Sequence, residues 1–316
     1  MKEVVLVTGG GGFIGTNLCL RLLKEGENVV CIDNLCTGSQ RNIDRMSCFS
    51  RFSFINHDVV QKLPLDFRVK EIYNLACPAS PVQYQCFPIE TTMTSVCGAY
   101  NMLVLAREHN CRILQASTSE VYGNPAVHPQ VENYNGNVNP IGVRSCYDEG
   151  KRCAESLFFD FYRKYGVNAK VVRIFNTYGP YMSMCDGRVV PNLIMQALSG
   201  ENLTVYGDGS QTRSYLYVND LVDGMIQIMR NENSGIGPFN IGRPQEISVN
   251  KLAQLILGNV KGTKSQIVYW PLPQDDPVRR CPDISKLTEA INGWTPSTPL
   301  EEGIKKTISY FKTEVA

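Results

Sequence analysis

Two side chains in the middle of the chain, Tyr147 and Lys151, have types and a spacing that could do chemistry. Residues four apart lie on one face of a helix, so the spacing places an ammonium beside a phenol. A nearby positive charge lowers the pKa of a phenol, and a phenolate can remove a proton from a substrate hydroxyl. The hydroxyl of Thr118 would share that substrate oxygen. The same spacing is also common on solvated helix faces, so the elements that would position this pair are needed as a second test.

A glycine-rich turn near the start of the chain is the first such element. Gly9, Gly12 and Gly15 stand three apart, between an apolar run at 4–7 and an amphipathic stretch at 13–24. This order predicts strand, tight turn and helix. Glycines let the backbone approach a pyrophosphate, whose charge suits the N–H groups at the start of a helix. The turn therefore predicts a dinucleotide site, with Phe13 and Ile14 at its helical end.

Acidic residues at strand ends extend this predicted cofactor site. Asp33 ends the second apolar run, about twenty residues after the glycines, where a carboxylate can accept hydrogen bonds from ribose hydroxyls. An acid at this position favours NAD over NADP, since it repels a 2′-phosphate. Asp58 follows the next strand and could bond the adenine amino group, although it could also be an ordinary loop carboxylate. The remaining predicted cofactor contacts are Asn34, Val59 and Ala76.

Strands and helices alternate through the first half of the chain. Five predicted strands separated by helical segments, including a long helix over 89–109, favour a doubly wound parallel sheet of the Rossmann type. The loops that carry the residues above all follow strands, where ligands gather in such sheets. The alternation becomes irregular after about residue 176. We therefore expect an NAD-binding domain at 1–176 and 215–242 and a smaller α/β substrate-binding domain at 177–214 and 243–316.

Composition excludes several classes of function. The chain has 316 residues, a formal net charge of +1 and 43% hydrophobic residues, with no global field to gather nucleic acid or a membrane surface. No apolar run reaches the roughly 18 residues of a membrane span, and the first strand begins without room for a signal peptide, so we expect a cytoplasmic protein. The twelve cysteines form no C-x-x-C pair and the three histidines have no ligand spacing. We expect buried reduced thiols and no metal site.

Long runs elsewhere in the chain resemble the extended short-chain dehydrogenase/reductases that act on nucleotide sugars. They are NLACPASPV at 74–82, STSEVYG at 117–123, GNVNPIGVRSCYDEGKR at 136–152, RIFNTYGP at 173–180, DGRVV at 186–190, LTVYGDGSQTRS at 203–214 and DDPVRRCPDISK at 275–286. The resemblance implies NAD, a UDP-sugar substrate and a homodimer formed through helices near 89–109 and 148–165. Within the family, these runs indicate decarboxylation of UDP-glucuronate to UDP-xylose, by oxidation at C4, loss of carbon dioxide and re-reduction.

The resemblance also implies roles for individual residues. Glu120 matches the family's catalytic carboxylate, and Ser119 stands where the 4,6-dehydratases have an Asp that acts as a general acid. Arg213 matches an arginine that pairs with the UDP phosphates, and Arg280 one near the substrate carboxylate or phosphate. Asn176 would bond the sugar or diphosphate. Further substrate contacts are expected from Pro81, Tyr84, Arg188, Asn192 and Tyr206.

Three departures from the family pattern bear on the exact substrate contacts. Tyr181 follows Gly-Pro where the family commonly has Arg, and Gln83 and Ser95 replace common His and Asn residues. A UDP-sugar 4-epimerase on the same scaffold remains an alternative, as does a 4,6-dehydratase, which Ser119 disfavours. A non-catalytic NAD-binding regulatory protein would have no need of Tyr147 and Lys151.

Overall fold

The computed structural model describes residues 3–63, 65–271 and 279–315. The strands are β1 Glu3–Thr8, β2 Val29–Asp33, β3 Phe52–Asn56, β4 Arg68–Asn74, β5 Arg112–Thr118, β6 Ala169–Ile174, β7 Thr177–Tyr178, β8 Leu203–Tyr206, β9 Thr212–Ser214, β10 Leu216–Tyr217, β11 Phe239–Ile241, β12 Glu246–Ser248, β13 Ile267–Trp270 and β14 Arg279–Arg280.

The α-helices alternate with the strands through the first half of the chain and carry most of the second half. They are α1 Phe13–Lys24, α2 Gln40–Met46, α3 Pro81–Cys86, α4 Pro88–Met93, α5 Ala99–His109, α6 Ser145–Tyr165, α7 Val189–Ser199, α8 Val218–Arg230, α9 Val249–Asn259, α10 Ser285–Ala290 and α11 Leu300–Val315. A π-helical turn spans Thr94–Gly98, and 3₁₀ turns span Ser119–Tyr122 and Glu232–Ser234.

The core of the molecule is a seven-stranded sheet in the order β11-β6-β5-β4-β1-β2-β3. All neighbouring strands in it run parallel. Its central strands are apolar and buried on both faces, as parallel sheets covered by helices require. Helices α1 and α8 pack on one face, while α5 and α6 pack on the other. The predicted α/β fold with a Rossmann-type sheet is confirmed.

A second apolar cluster lies outside this sheet. Helices α7, α9 and α11 contribute Leu193, Leu252 and Phe311 to it, together with Leu203 from β8. Small sheets border the cluster, namely β8 with β13 and β9 between β12 and β14. Strand β11 brings the chain back to the large sheet after α8. The helices and small sheets around this cluster belong to the part of the chain assigned to substrate binding, whereas α8 and β11 belong to the part assigned to NAD binding; the domain ranges themselves stay a prediction.

The long helix expected over 89–109 is divided. Its middle is the π-helical turn Thr94–Gly98, where α6 crosses closely. A Cβ on Gly150 of α6 would lie 3.0 Å from the Cβ of Ser95, and a Cβ on Gly98 would lie 2.8 Å from Val59. The sequence predicted one uninterrupted helix, because a π-turn occupies only a single turn within an α-helix.

The cysteines are free thiols, but they are less buried than expected. Cys19 and Cys31 are buried, Cys77 and Cys97 are half-buried, and Cys153 lies exposed on α6. The apolar neighbours of Cys153 in sequence belong to other faces of that helix. Within residues 3–63, 65–271 and 279–315, no helix is both long enough and apolar enough to cross a membrane.

Candidate functional site

The glycine turn after β1 has a geometry that only glycine permits. Gly9 has a φ of +69°, and a Cβ there would lie 2.9 Å from the backbone of Ala76. A Cβ on Gly15 would lie 2.1 Å from the carbonyl oxygen of Gly9, so helix α1 could not pack against the turn. Gly12 caps α1 without a side chain, which leaves the first amides of the helix open to an anion. This cradle fits a dinucleotide pyrophosphate.

Asp33 stands at the end of β2, beside the glycine turn. Its carboxylate accepts hydrogen bonds from the backbone N–H of Gly11 at 2.9 Å and of Leu35 at 2.8 Å. Burial raises the pKa of Asp33, and the two N–H groups oppose that shift. A Cβ on Gly38 would lie 2.8 Å from the carboxylate, so the opposite side is closely covered as well. The side chain is thus held in one position at the cleft.

The neighbouring carboxylate, Asp58, is held by its own loop. It accepts from the backbone N–H of Val60 at 2.9 Å and from the side-chain amide of Asn34 at 3.3 Å. Val59 is buried against Gly98. An anchored carboxylate beside Asp33 is consistent with an adenosine site, while the ribose contact of Asp33 and the adenine contact of Asp58 stay predictions.

A cleft of about 1040 Å³ opens at the carboxyl ends of the strands. Every residue that the sequence proposed for the site lines this cleft. They are Gly9, Gly12, Phe13, Ile14, Gly15, Asp33, Asn34, Asp58, Val59, Ala76, Pro81, Tyr84, Thr118, Ser119, Glu120, Tyr147, Lys151, Asn176, Arg188, Asn192, Tyr206, Arg213 and Arg280. Residues from distant parts of the chain are therefore brought to one site.

Tyr147 and Lys151 lie on the buried face of α6, but their electrostatics differ from the expectation. Burial raises the pKa of Tyr147, which the hydrogen bond with Thr118 and the charge of Arg188 oppose. The Lys151 ammonium donates to the carbonyl oxygen of Ala116 at 3.0 Å and lies 5.8 Å from the centre of the Tyr147 ring. In this structure burial therefore dominates the pKa of Tyr147, contrary to the lowering expected from Lys151.

Tyr84 forms a wall of the cleft next to Tyr147. The two rings are stacked, with centroids 5.0 Å apart and planes 7° apart. Burial raises the pKa of Tyr84 to about 12. Its hydroxyl is buried and has no hydrogen-bond partner among the residues that the structure describes. A polar group of this kind, lining a cleft, is well suited to bond a ligand.

Glu120 lies between two arginines at the end of β5. One carboxylate oxygen contacts the guanidinium of Arg144 and the other contacts that of Arg280. Arg280 also donates to the carbonyl oxygen of Gly123 at 3.1 Å, and its Nε has no partner within the described residues. The cleft that Tyr147 and Thr118 line therefore also holds two guanidinium groups, which suits a carboxylate-bearing ligand.

Arg144 lines the cleft and contacts Glu120, and the sequence analysis did not include it among the site residues. It lies in the run 136–152, three residues before Tyr147, at the N-cap of α6. The i,i+3 spacing to Tyr147 was an available signal, since residues three apart share a helix face. Nothing local marked it as a partner of Glu120, because the two residues meet only through the fold.

Two further arginines of the cleft, Arg213 and Arg188, are also held by hydrogen bonds. Arg213 on β9 pairs in register with Arg280 on β14 and donates to the carbonyl of Thr212 at 2.8 Å. Arg188 makes a bidentate ion pair with the buried Asp186, at 2.5 and 2.8 Å. These contacts align positive charge along the cleft. Arg279, beside Arg280, belongs to β14.

The other predicted substrate contacts occupy the rim and walls. Asn192 donates to the carbonyl oxygen of Gly187 at 3.0 Å, and Tyr206 is 41% exposed with its ring edge-on to Trp270. Asn176 follows β6, and its carbonyl oxygen accepts from the N–H of Leu216. Their roles in binding remain predictions.

The chain is similar in sequence to UDP-glucuronic acid decarboxylases of animals and plants. The chain is 50% identical to UDP-glucuronic acid decarboxylase 1 of Danio rerio over 314 residues, which cover 99% of this chain and 74% of the relative. It is 50% identical to UDP-glucuronic acid decarboxylase 6 of Arabidopsis thaliana over 301 residues, covering 95% and 86%.

Solved structures share the architecture. A UDP-glucose 4-epimerase from Thermotoga maritima with UDP-glucose superposes with a TM-score of 0.88 at 28% identity, covering 99% of this chain and 100% of that one. A UDP-glucuronic acid 4-epimerase from Bacillus cereus, in complex with UDP-glucuronic acid and NAD, gives 0.86 at 25% identity and 99% coverage of both chains. Residues 5–242 match the NAD dependent epimerase/dehydratase family. With this match, the glycine cradle and the cleft residues in place, the chain belongs to the NAD dependent epimerase/dehydratase family.

Proposed function

We propose that this protein is a UDP-glucuronate decarboxylase that produces UDP-xylose with NAD as its cofactor. The structural observation that carries the proposal is the pair of guanidinium groups, Arg144 and Arg280, on either side of Glu120. Both guanidinium charges act to lower the pKa of Tyr84, whose ring stacks on that of Tyr147. A sugar whose 4-hydroxyl reaches the Tyr147 phenol would therefore present its C6 carboxylate near positive charge. Relatives at about half identity over nearly the whole chain carry the name of this activity.

The first chemical task is to oxidise C4 of the sugar. NAD, when bound in the glycine cradle, supplies the acceptor for the C4 hydrogen and later returns it. Tyr147 takes the proton of the 4-hydroxyl, and Thr118, already hydrogen-bonded to Tyr147, shares the same oxygen. Lys151 holds a positive charge near the Tyr147 ring while this proton is transferred. Because burial raises the pKa of Tyr147, the phenolate that accepts the proton needs a positive charge nearby.

Loss of carbon dioxide follows from the position of the ketone. A 4-ketone lies β to the C6 carboxylate, so the C5–C6 bond can break with its electrons delocalised into an enolate on the C4 oxygen. Tyr147 and Thr118 can stabilise that oxygen by donating hydrogen bonds. A proton then adds at C5, and the ketone returns to an alcohol. Glu120 positions the sugar or assists the proton transfer at C5.

Ser119 supports decarboxylation over dehydration. It is 2% exposed and follows Thr118 directly in the cleft. A hydroxyl can donate a hydrogen bond to the sugar carboxylate but is a poor general acid, whereas loss of a 6-hydroxyl as water needs an acid.

The deciding experiment is incubation of the purified protein with UDP-glucuronate and NAD⁺, with carbon dioxide measured and the nucleotide sugar identified by mass and NMR. We expect carbon dioxide, UDP-xylose and no net NADH. UDP-galacturonate without carbon dioxide would instead show a 4-epimerase. The arginine pair favours a sugar that bears a carboxylate, and this experiment is needed to separate a decarboxylase from a UDP-glucuronic acid 4-epimerase, which has a similar fold.

We propose a homodimer as the assembly. Helices α4, α5 and α6 expose apolar side chains, with Ile89 73%, Met93 43% and Tyr100 50% exposed. Tyr165 packs edge-on to Phe161, which also contacts Tyr100, so part of this patch is continuous. A second copy of the chain is the proposed occupant. Sedimentation analysis should give twice the mass of 35.3 kDa, and Ile89→Glu should lower it to one chain.

We also retain cytoplasmic location as a proposal, which rests on the sequence reading. Fractionation of cells that express the natural protein tests it, with activity expected in the cytosolic fraction.

A further inference from the structure

The C-terminal helix α11 is fastened to α2 at the glycine-turn end of the cleft. Arg45 of α2 donates from Nη1 to the hydroxyl of Tyr310 at 3.2 Å and contacts the carboxylate of Glu314 through Nη2. Arg41, one turn earlier, reaches the other oxygen of Glu314 at 2.8 Å. All four side chains line the cleft. The contact thus joins two elements that are far apart in sequence across the cofactor end of the site.

The same arginine is connected to the glycine turn. Its Nη1 also donates to the side-chain oxygen of Asn42 at 3.1 Å, and the amide of Asn42 donates to the carbonyl oxygen of Gly11 at 3.0 Å. Asn42 is 5% exposed, so this second link is buried. A continuous set of hydrogen bonds therefore runs from the turn, through Asn42 and Arg45, to α11.

Tyr181 completes the contact from a third segment. Its φ is +68°, and its ring lies edge-on to Tyr310 with centroids 5.1 Å apart. The guanidinium carbon of Arg45 lies 5.6 Å from the Tyr181 ring centre and 5.7 Å from that of Tyr310. Two aromatic faces and one carboxylate thus surround one guanidinium. A residue that departs from the family pattern has become part of this contact.

Glu314 and Arg45 are more buried than the partners of an ordinary surface ion pair, whereas Arg41 is 57% exposed. The side chain of Glu314 is 9% exposed and faces two arginines, whereas Glu301 on the same helix is 58% exposed and pairs with Lys305. Exposed pairs of the second kind contribute little, while removing one partner of a desolvated pair leaves an uncompensated charge. Glu314 and Glu301 therefore form a matched pair for a test.

We propose that Arg45 is a positioning residue that fastens α11 to α2. It thereby retains NAD between the oxidation and the re-reduction of the sugar at C4, an inference that rests on the proposed function. A decarboxylase that reoxidises its own cofactor gains from slow cofactor release, because early release strands the keto sugar. The contact is linked through Asn42 to Gly11 of the glycine turn that would hold the cofactor's pyrophosphate. It does not touch the reacting atoms, so it acts on release and leaves the chemical steps unchanged.

The test measures release of NADH, without any sugar, by stopped-flow fluorescence as excess NAD⁺ displaces it. Glu314→Gln and Arg45→Met should each accelerate release by about tenfold, the equivalent of one lost contact of moderate strength. Arg45→Lys keeps the positive charge but loses the planar set of N–H donors, so its NADH release rate should lie between those of the wild type and Arg45→Met. Glu301→Gln should match the wild type. Equal release rates in Glu314→Gln and Glu301→Gln would overturn the proposal.

A second readout separates retention from general loss of structure. In turnover with UDP-glucuronate, the Glu314→Gln variant should release an increased share of the 4-keto pentose relative to UDP-xylose, while initial carbon dioxide release per bound cofactor stays unchanged. A variant with reduced carbon dioxide release and an unchanged product ratio would argue for a purely structural role and against the proposal. If the wild type forms no carbon dioxide, the proposed function fails, while the release rates still decide the role of Arg45. Should Arg45→Met not fold, Glu314→Gln on the other helix carries the test.

Discussion

The ring of Tyr84 lies flat against the ring of Tyr147, with centroids 5.0 Å apart and planes inclined by 7°. The first residue comes from α3, after the loop that follows β4, and the second from α6. The stack therefore holds the ring of Tyr147, the proposed proton acceptor, against helix α3, which carries predicted substrate contacts. The Tyr84 hydroxyl is buried and has no hydrogen-bond partner among the described residues.

This relationship separates two variants of Tyr84. Tyr84→Phe keeps the stacked ring and removes only the hydroxyl, so KM for UDP-glucuronate should rise several-fold, about the value of one hydrogen bond, with kcat little changed. Tyr84→Ala removes the stack as well, and kcat should also fall. Steady-state kinetics of both variants check this. A kcat in Tyr84→Ala equal to that of the wild type would show that the stack does not orient Tyr147.

Replacement of Tyr147 by Phe should remove the proton acceptor with little change in shape. Turnover should fall by roughly 10²–10⁴, the usual contribution of a positioned acid–base group. UDP and NAD should still bind, which a fluorescence titration can measure. Unchanged carbon dioxide release would remove Tyr147 from the mechanism.

Arg144 should contribute to recognition of the sugar carboxylate, since its guanidinium stands beside Glu120 and near Tyr147. Arg144→Met should raise KM for UDP-glucuronate by about tenfold or more, because an ion pair in a partly buried site is lost. Affinity for UDP-xylose, which lacks the carboxylate, should change far less. Equal losses of affinity for both nucleotide sugars would assign Arg144 to general structure. The exposed Arg163, which pairs with Asp160 on the far end of the same helix, offers a control in Arg163→Met.

Asp33 should set the choice of dinucleotide. Asp33→Asn removes the charge that repels a 2′-phosphate, and also weakens the acceptor offered to the ribose hydroxyls. NAD affinity should fall by about tenfold, while NADP affinity should rise or stay constant, so the ratio moves towards NADP. Binding of both cofactors by calorimetry measures the ratio. An unchanged ratio would mean that another group discriminates.

Asp148 should make stability depend on pH. Burial raises its pKa from 3.8 to about 6, against the opposing charge of Arg144, and Oδ1 lacks a partner among the described atoms. A carboxyl whose pKa is raised on folding stabilises the fold below pH 3.8 and loses that contribution as pH rises to 6. Asp148→Asn should therefore be the more stable protein at pH 7.5, by on the order of 2 kcal/mol, and the difference should vanish near pH 4. Thermal unfolding across this range provides the check, and a difference independent of pH would contradict it.

Part of the structure can be predicted from residues that are neighbours in sequence. The run from β1 through the glycine turn into α1 is specified by residues next to one another, because only glycine fits the positive φ at Gly9 and the contact at Gly15. The alternation of strands and helices predicted the parallel sheet, since each apolar run buries both faces of its strand. The spacing of Tyr147 and Lys151 likewise predicted that both would face the cleft from one helix.

Other features were decided only by tertiary structure. Glu120 and Arg280 are separated by 160 positions, and Arg45 and Glu314 by 269, so their contacts arise when the second part of the chain closes against the sheet. Lys151 was expected to lower the pKa of Tyr147, but burial raises it. The spacing of residues along a helix does not predict how deeply a side chain is buried. Sequence determines which groups a short segment presents and which face they share. Desolvation, and the meeting of charges from distant segments, depend on the packing of the whole chain and are decided only there.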